Sequence, residues 1–273
     1  MTFIGAGVGY RRVHREALLA HRGPPVLEIL PDHFFAEPAA LEPLAESYAL
    51  VFHDVGLSIA TAGGAAATSA RLARIKALSS WARPLLFSDH LALTRSPSGI
   101  DLGHLAPAWL TEELLDGVVA RVRAVQDALG IPVALENIAA PFDIPGGMSE
   151  PEFFARLVER TGCGMLLDVT NLLLTARNRG YDVRERLREY PLEAVRQVHL
   201  AGGFRDRSGE WVDSHSEPVE ADAFALLREL GRARGSLLTI VIERDDKLGG
   251  LAELAAEANR AAGIWTEITG GIA

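Results

Sequence analysis

Eight short apolar runs, separated by amphipathic segments, constrain the fold of this 273-residue chain more than any other feature. Nearly all of the runs are continuous, a pattern typical of strands that are buried on both faces of a parallel sheet. In chain order they are IGAGV (4–8), VLEIL (26–30), ALVFH (49–53), PLLFS (84–88), VALEN (133–137), MLLDV (165–169), VRQVHL (195–200) and LLTIVIE (237–243). Eight strand-then-helix units in a chain of this length predict an α/β fold, a TIM (β/α)8 barrel, as one domain over residues 1–273.

The segments between the runs carry the signals of helix termini. Residues 111–129 begin at Thr111, have two acidic residues in their first turn, and stop at Gly130. Ser149 and Glu152 have the spacing of a capping box in front of the segment FFARLVERTG. Apolar residues recur at helical spacing in three further segments, which are 68–82, 221–234 and 249–262. A doubly wound open sheet is the alternative, but no GxGxxG fingerprint follows the first strand, and we therefore favour the barrel.

Charge and composition argue against several classes of function. The 27 Lys and Arg residues are outnumbered by 36 Asp and Glu residues and form no basic run, so we expect no nucleic-acid partner. Cys163 is the only cysteine, which excludes an internal disulfide and a site with several thiolate ligands. No basic leader precedes an apolar segment at the N-terminus, and no unbroken apolar stretch reaches ~18–20 residues. We therefore expect a cytoplasmic protein without a membrane partner.

Ionisable side chains end the apolar runs on the side where a TIM barrel carries its catalytic groups, the C-terminal ends of the strands. Run two contains Glu28, and the long loop after run seven adds Asp213 and His215. Long loops of this kind are more often functional than structural. Runs three to eight each contribute one histidine or carboxylate at their end, and these residues are His53, His90, Glu136, Asp168, His199 and Glu243.

Each of these residues taken alone has an ordinary structural explanation, such as a hydrogen-bonded histidine or a carboxylate that caps a helix. In a barrel they converge on one small volume, where several carboxylates cannot stay ionised together without cations. We therefore expect a metal site. Imidazole and carboxylate ligands suit iron, manganese or zinc, and the number of candidates implies two or three ions. Such clusters serve two-metal hydrolysis or isomerisation, or oxygen activation at iron, and the spacing does not choose between them.

Nine stretches of the chain, taken together and in this order, indicate a resemblance to a known family. They are GAGVGYR (5–11), LEILPDHF (27–34), FHDVGLS (52–58), SDHLA (88–92), PVALEN (132–137), EPEFFARLVERTGCGMLLDVTN (150–171), VRQVHLAGG (195–203), DSHSEPV (213–219) and IERD (242–245). The set resembles the multinuclear non-haem iron-dependent oxidases, a family that includes the oxidase of methanobactin biosynthesis. This resemblance covers almost the whole chain and implies a TIM barrel of the xylose-isomerase-like kind.

The resemblance also implies the metal and its ligands. The six strand-end residues would bind iron together with Asp213, His215 and, as a further candidate, Asn171. One iron would be held by His53, His90 and a bridging Glu136, and a second by Asp168, His199 and Glu243. The pair Asp213 and His215 would bind a third ion or a shared position. Of the ligands, four would also take part directly in catalysis, and these are His90, Glu136, Asp168 and His199.

The activity implied by the resemblance is an oxidation of peptides. Family members modify ribosomally made peptides, commonly at cysteine, and use a mixed-valent Fe(II)/Fe(III) pair with dioxygen as co-substrate. Many act with a small partner protein that presents the leader segment of the peptide. We therefore expect an oxygen-dependent iron oxidase that modifies a precursor peptide, with two or three iron ions and a possible leader-binding partner.

The chain departs from the family pattern at three positions. Gly203 ends the segment HLAGG where the family often has histidine, and Thr170 precedes Asn171 where the family has a second asparagine. Asp32 stands where the family has a glutamate after proline. Because the change at Gly203 can alter how the substrate is handled, no specific product is carried over from the family.

Four further residues are expected to support the ligands or to contact the substrate, and these are Glu28, Asp89, Asn137 and Arg244. Adjacent residues of a regular strand point to opposite faces, so Asp89 and His90 cannot both face the barrel axis. We assign His90 to the metal. Asp89 then orients a ligand histidine or caps the next segment. Arg244 either positions an anionic group or forms an ordinary salt bridge.

Two alternatives remain at this point. A divalent-metal-dependent isomerase or an endonuclease-like hydrolase on the same barrel would also converge His, Asp and Glu side chains on one site. A non-catalytic barrel that binds a partner protein is the other alternative, and the ligand-rich strand ends argue against it.

Overall fold

The computed structural model describes residues 2–20, 22–62, 65–140, 142, 144–145, 147–233 and 237–270, without the side chains of residues 65–67. The strands in this part of the chain are β1 (Ala6–Gly9), β2 (Val26–Ile29), β3 (Ala49–His53), β4 (Phe87–His90), β5 (Leu93–Arg95), β6 (Asp101–Ala106), β7 (Val133–Glu136), β8 (Gly164–Asp168), β9 (Val195–Leu200), β10 (Phe204–Arg205), β11 (Trp211–Val212) and β12 (Thr239–Ile242). The helices are α1 (Arg15–Leu19), α2 (Glu42–Ser47), α3 (Ala65–Ala82), α4 (Glu112–Leu129), α5 (Glu150–Thr161), α6 (Val169–Arg179), α7 (Val183–Glu189), α8 (Ala221–Arg232) and α9 (Leu251–Thr269).

Eight of the strands close into a parallel barrel, in the order β1, β2, β3, β4, β7, β8, β9, β12 and back to β1. Each barrel strand overlaps one of the eight apolar runs, and the predicted TIM barrel is confirmed. The register places His90 of β4 level with Glu136 of β7, and Asp168 of β8 level with His199 of β9. Strand-end residues from neighbouring strands therefore lie at the same height in the barrel.

The barrel interior changes from apolar to polar along the strands. One cluster of buried apolar side chains includes Val26, Val51, Leu86, Ala134, Leu166 and Val241. Residues two positions apart on a strand point to the same face, so the next inward positions lie two residues further on. At those positions the chain has Glu28, His53, Ser88, Glu136, Asp168 and Glu243. The strand pattern thus stacks a polar layer directly on an apolar one.

The outward faces of the strands pack against the helices in a larger apolar core. This core includes Leu27, Phe52, Phe87 and Leu135, each at most 2% exposed. Burying one side chain of this size stabilises the fold by ~1.5–3 kcal/mol, so the barrel wall is a rigid frame for the polar layer inside it.

The predicted helix termini are present at the expected residues. The side chain of Thr111 accepts a hydrogen bond from the backbone N–H of Leu114 (3.2 Å), and the side chain of Ser149 accepts one from Glu152 (3.3 Å). Gly130 ends α4 in the left-handed conformation, with φ of +67°. The predicted helices 221–234 and 249–262 correspond to α8 and α9, and residue 234 lies outside the described residues.

Two short antiparallel hairpins were not predicted, and both extend from the C-terminal end of the barrel. The first, β5 with β6, follows β4, and the second, β10 with β11, follows β9. β6 and β10 are largely exposed, and β5, β10 and β11 have only two or three residues each. The hairpin strands therefore lack the continuous apolar runs that mark the barrel strands. Among the described helices, none combines the length and the apolar composition that crossing a membrane requires.

Candidate metal centre

The side chain of Glu136 lies at the centre of the polar layer, between three histidines. Its Oε2 atom is 3.4 Å from His53 Nε2 and 3.2 Å from His90 Nε2. Its Oε1 atom is 3.2 Å from His199 Nδ1. The two oxygens therefore face different histidines, which is the geometry of a carboxylate that can bridge two metal ions.

A second group of ligand atoms shares Glu136 with the first. One ligand atom each from Glu136, Asp168, His199 and Glu243 lies within 4.8 Å of the others, and all four residues are buried. The Nδ1 atom of His199 is 3.1 Å from Glu243 Oε2. His53 and His90 form another such group with Glu136, and Glu28 forms one with His53 and His199, so the candidate ligand groups overlap.

The loop between β11 and α8 adds a third group of ligand atoms. The Nε2 atom of His215 is 2.8 Å from Asp213 Oδ1 and 3.8 Å from Asp168 Oδ2. On the other side of the ring, Nδ1 is 3.3 Å from both Glu243 Oε2 and Asp245 Oδ2. The backbone of His215 is left-handed, with φ of +47°, and its carbonyl accepts a hydrogen bond from the backbone N–H of Asp245 (2.9 Å). His215 is thus held in an unusual conformation beside the cluster.

Two glycines allow this loop to pass directly over the end of β9. A Cβ atom on Gly202 would lie 2.2 Å from the carbonyl oxygen of Glu217, and one on Gly203 would lie 2.5 Å from that of Val212. Any side chain at either position would therefore push the loop away from the strand. This close approach gives a structural reason for Gly203, where the related family often has histidine.

The donor atoms of the cluster fit bound metal ions. Burying a polar atom without a partner costs about 1–3 kcal/mol, so such atoms are rare unless something else satisfies them. Within the described part of the chain, six cluster residues have buried nitrogen or oxygen atoms that make no hydrogen bond, and these are His90 (Nδ1), Glu136 (Oε2), Asp168 (Oδ2), Asn171 (Oδ1), Asp213 (Oδ1) and His215 (both ring nitrogens). Imidazole nitrogens and carboxylate oxygens of this kind are ligands for iron, manganese or zinc.

The charges of the cluster displace the pKa values of its members. Burial alone would lower the pKa of His90, but the carboxylates of Glu136 and Asp89 raise it to about 9. Burial would raise the pKa of Glu136, but the histidines around it, His90 and His199 above all, lower it to about 2. The pKa of Asp168 is raised to about 8, chiefly by burial and despite the opposing effect of His215. Without a cation, the negative charge of the carboxylates is therefore partly neutralised by protons on the histidines and on Asp168.

Two ligand histidines have fixed partners on the ring nitrogen that faces away from Glu136. The Nδ1 atom of His53 is 2.9 Å from Ser88 Oγ, which in turn donates to the carbonyl of Phe52 (3.3 Å). The Nε2 atom of His199 is 2.8 Å from Glu28 Oε2. Because the outer nitrogen is engaged, the inner nitrogen of each ring keeps its lone pair for a metal, as in many metalloprotein sites.

The side chain of Asp168 ends β8 and begins α6. Its Oδ1 atom accepts a hydrogen bond from the backbone N–H of Asn171 (2.7 Å), while Oδ2 stays free of hydrogen bonds. Asn137 binds the backbone of Asp168 at both ends, by donating to its carbonyl (3.0 Å) and accepting from its N–H (2.9 Å). Asn137 is therefore fully occupied in positioning Asp168, whereas the side-chain oxygen of Asn171 is still available as a ligand.

Two of the expected residues point away from the cluster. Asp89 accepts hydrogen bonds from the backbone N–H groups of Leu57 (3.0 Å) and His90 (2.6 Å), and it thereby ties the loop after β3 to β4. Its Oδ1 atom lies 3.7 Å from His90 Nδ1, close enough to bias the charge of that ring. Arg244 pairs with Glu257 of α9 (3.3 Å), which corresponds to the ordinary salt bridge.

Four residues of the site were missed. Ser88, Gln197 and Asp245 lie two positions from His90, His199 and Glu243 respectively, so the two-residue period of a strand could have found them. Gln197 donates to Glu28, and Asp245 faces His215. Arg11 pairs with Asp245 and lies 3.8 Å from Glu243 Oε1, but it follows β1, whose run ends without any ionisable residue. No spacing signal pointed to Arg11.

Comparisons with known proteins agree with this fold and also identify the family of the chain. A D-psicose 3-epimerase structure superposes with a TM-score of 0.60 at 15% identity, over 98% of this chain and 100% of that one. A xylose isomerase domain protein from Planctomyces limnophilus superposes with a TM-score of 0.59 at 16% identity, over 97% of this chain and 99% of that one. At this identity the two structures establish only that the barrel is xylose-isomerase-like, as expected.

Sequence relatives cover nearly the full length of the chain. A UPF0276 protein from Chromobacterium violaceum is 37% identical over 263 residues, which are 94% of this chain and 94% of the relative. The family model described as RiPP precursor modification enzyme MbnB/TglH/ChrH matches residues 5–266, where RiPP denotes a ribosomally synthesised and post-translationally modified peptide. The match agrees with the resemblance found in the nine stretches. The chain belongs to this family of RiPP precursor modification enzymes.

Proposed function

We propose that this chain is a multinuclear iron-dependent oxidase that uses dioxygen to modify a ribosomally synthesised precursor peptide at cysteine. The observation that carries the proposal is the buried Glu136, which has a different histidine on each carboxylate oxygen. A bridging carboxylate between imidazole ligands suits a pair of iron ions, and the family of the chain supplies the peptide substrate.

The ligands are proposed as two sets that share Glu136. His53 and His90 would complete the first iron site, and Asp168, His199 and Glu243 would complete the second. The third group, Asp213 and His215 with Asn171 nearby, would hold a third ion or a shared position. Iron in these sites, as a mixed Fe(II)/Fe(III) pair, would supply the redox chemistry with dioxygen as co-substrate.

The residues of the chain have their own tasks in this proposal. Ser88 and Glu28 hold the rings of His53 and His199 so that their inner nitrogens face the metal. The apolar layer below the cluster closes the barrel, so peptide and dioxygen reach the site only from the C-terminal end of the strands. Because water is excluded from the site, reactive oxygen species that form at the site undergo fewer side reactions.

The peptide substrate is proposed to act together with a small leader-binding partner protein. The two hairpins β5–β6 and β10–β11 extend from the same end of the barrel as the cluster, and they offer surface beside the entrance. An open entrance is compatible with a peptide that is delivered in extended form. Short open reading frames next to the coding sequence are the natural place to look for both molecules.

A co-expression experiment tests this function. We expect a neighbouring cysteine-containing peptide, co-expressed with the chain and the adjacent small protein, to change mass only in the presence of oxygen. The Glu136→Gln variant should leave the peptide unmodified, whereas the exposed Glu267→Gln variant, which alters only a surface pair with Arg228, should modify it normally. A peptide that changes mass equally without oxygen would point instead to a divalent-metal-dependent hydrolase on the same barrel.

A further inference from the structure

A cavity of about 400 Å³ lies beside the cluster, bounded by the segment after β7 and by helices α6 and α7. Three of its lining residues follow cluster residues closely in the chain. Leu91 comes directly after His90, Ile138 comes two residues after Glu136, and Thr175 lies one helical turn beyond Asn171. The backbone N–H of Leu91 also donates to the carbonyl of Glu136 (2.9 Å), so the cavity wall and the cluster share the ends of β4 and β7. The volume of the cavity is in the range of typical ligand pockets.

The polar side chains at the inner end of the cavity are paired with protein groups. The hydroxyl of Tyr190 donates to the carboxylate of Glu150. The guanidinium of Arg186 donates to Glu189 (2.7 Å) and lies over the ring of Tyr181, 5.0 Å from its centre. These polar groups already have protein partners, with which a charged ligand would have to compete. The polar end of the cavity therefore does not favour a charged guest.

The remaining wall of the cavity has mainly apolar side chains and continues to the surface. Leu91 and Ile138 are buried, Leu110 and Met148 are half-buried, and Phe142 at the mouth is 57% exposed. An apolar group bound at this edge would also cover part of the exposed Phe142 ring. Such a group would only displace water from the cavity.

We propose that this cavity binds an apolar side chain of the leucine or phenylalanine class, contributed by the substrate peptide next to the residue that is modified. The proposal rests on the proposed peptide substrate, because only a chain that reaches the cluster would place a neighbouring side chain in the adjoining cavity. The cavity would then select peptides by sequence and fix their register relative to the metal ions.

Small probes test the cavity without any oxidation. We expect N-acetyl-L-leucinamide and N-acetyl-L-phenylalaninamide to bind the purified full chain in saturation-transfer NMR, and N-acetyl-L-asparaginamide, similar in size to the leucine probe, not to bind. Ala108→Phe, which fills the cavity from its wall, should weaken binding by at least about tenfold. Ala39→Phe, an exposed alanine remote from the cavity lining, is the matched control and should bind normally.

A second variant protects the test against misfolding of Ala108→Phe. Phe142→Ser changes only the exposed rim and should also weaken binding of both apolar probes. Equal binding of the asparagine probe, unchanged binding in both cavity variants, or no binding of the apolar probes would overturn the proposal. Because the readout needs neither iron nor oxygen, a failure of the oxidase function leaves this result unaffected.

A peptide experiment connects the cavity to the substrate. For two cysteine peptides that differ only in a leucine or an asparagine beside the cysteine, we expect the KM of the leucine peptide to be about tenfold lower. The kcat should be similar for both, since the side chain binds away from the metal ions. Equal KM values in a protein that oxidises both peptides would contradict the assignment of the cavity to the substrate.

Discussion

The central position of Glu136 follows from a single inward-facing residue at the end of β7. Its register with His90 on the neighbouring strand brings the two side chains to the same height, and β9 brings His199 to its other oxygen. The same carboxylate thus belongs to both proposed sets of ligands. At the scale of single residues, the site depends on which atom of each side chain remains free after its hydrogen bonds are made.

The protonation of the metal-free cluster predicts a pH dependence of metal binding. With pKa values of about 9 for His90 and about 8 for Asp168, both residues carry protons at neutral pH. A metal must displace these protons, so its apparent affinity should rise as the pH increases from about 6.5 to about 9 and then level off. Competition with a chelator at several pH values measures this, and an affinity that falls with pH would contradict the protonation described here.

Ser88 offers a test of the residues behind the ligands. Ser88→Ala removes the hydroxyl that holds Nδ1 of His53, so the ring is free to rotate. We expect metal affinity to fall about 10–100-fold, as is typical when such a partner is lost. Ser80→Ala, which removes an exposed hydroxyl bound only to a carbonyl of its own helix, is the matched control. If both variants bind metal like the original chain, Ser88 has no role in the site.

At the scale of elements, the loop after β9 connects the barrel to the third group of ligands. Gly202 and Gly203 let the loop lie against the strand, and Asp213 and His215 reach the cluster from there. The hairpin β10–β11 lies within the same connection, so its position and that of the two ligands depend on each other. A substitution in the glycine pair acts on the element as a whole.

The variant Gly203→Val tests this dependence. Its Cβ atom would lie 2.5 Å from the carbonyl oxygen of Val212 and 2.6 Å from Leu174 Cδ1, so the loop must move. We expect the protein to lose about one metal ion per chain while the ions bound by the barrel strands remain, as measured by elemental analysis. Gly263→Ala, in a helix with no atom within 4 Å of the new Cβ, should keep every ion. Full metal content in Gly203→Val would contradict the proposed role of the loop.

The elements that sequence patterns predicted are those with strong local signals. The barrel strands carry continuous apolar runs, and Thr111 and Ser149 begin helices with capping side chains. The hairpin strands, of which β6 and β10 are largely exposed, have no such signal. The six strand-end candidates stand out because they end these runs, whereas Arg11 reaches Asp245 and Glu243 only through the packing of a distant loop, which no local pattern contains.

At the scale of the whole molecule, the barrel places an apolar layer, a polar cluster and a cavity in sequence from the inside to the entrance. The apolar layer closes one end, and the cluster occupies the C-terminal ends of the strands. The cavity is lined by Leu91 and Ile138, which follow the ends of β4 and β7. This arrangement gives a peptide one route to the proposed metal ions and a neighbouring pocket for one side chain. The family of the chain agrees with a peptide as the substrate.

The metal content of the full chain, purified without oxygen, tests the proposed iron oxidase most directly. We expect two or three iron ions per chain by elemental analysis, a mixed-valent Fe(II)/Fe(III) signal after limited exposure to oxygen, and oxygen uptake when a cysteine-containing precursor peptide is added. Zinc or manganese at full occupancy without iron, together with no oxygen uptake in the presence of any cysteine peptide, would contradict the proposal and favour a divalent-metal isomerase or hydrolase.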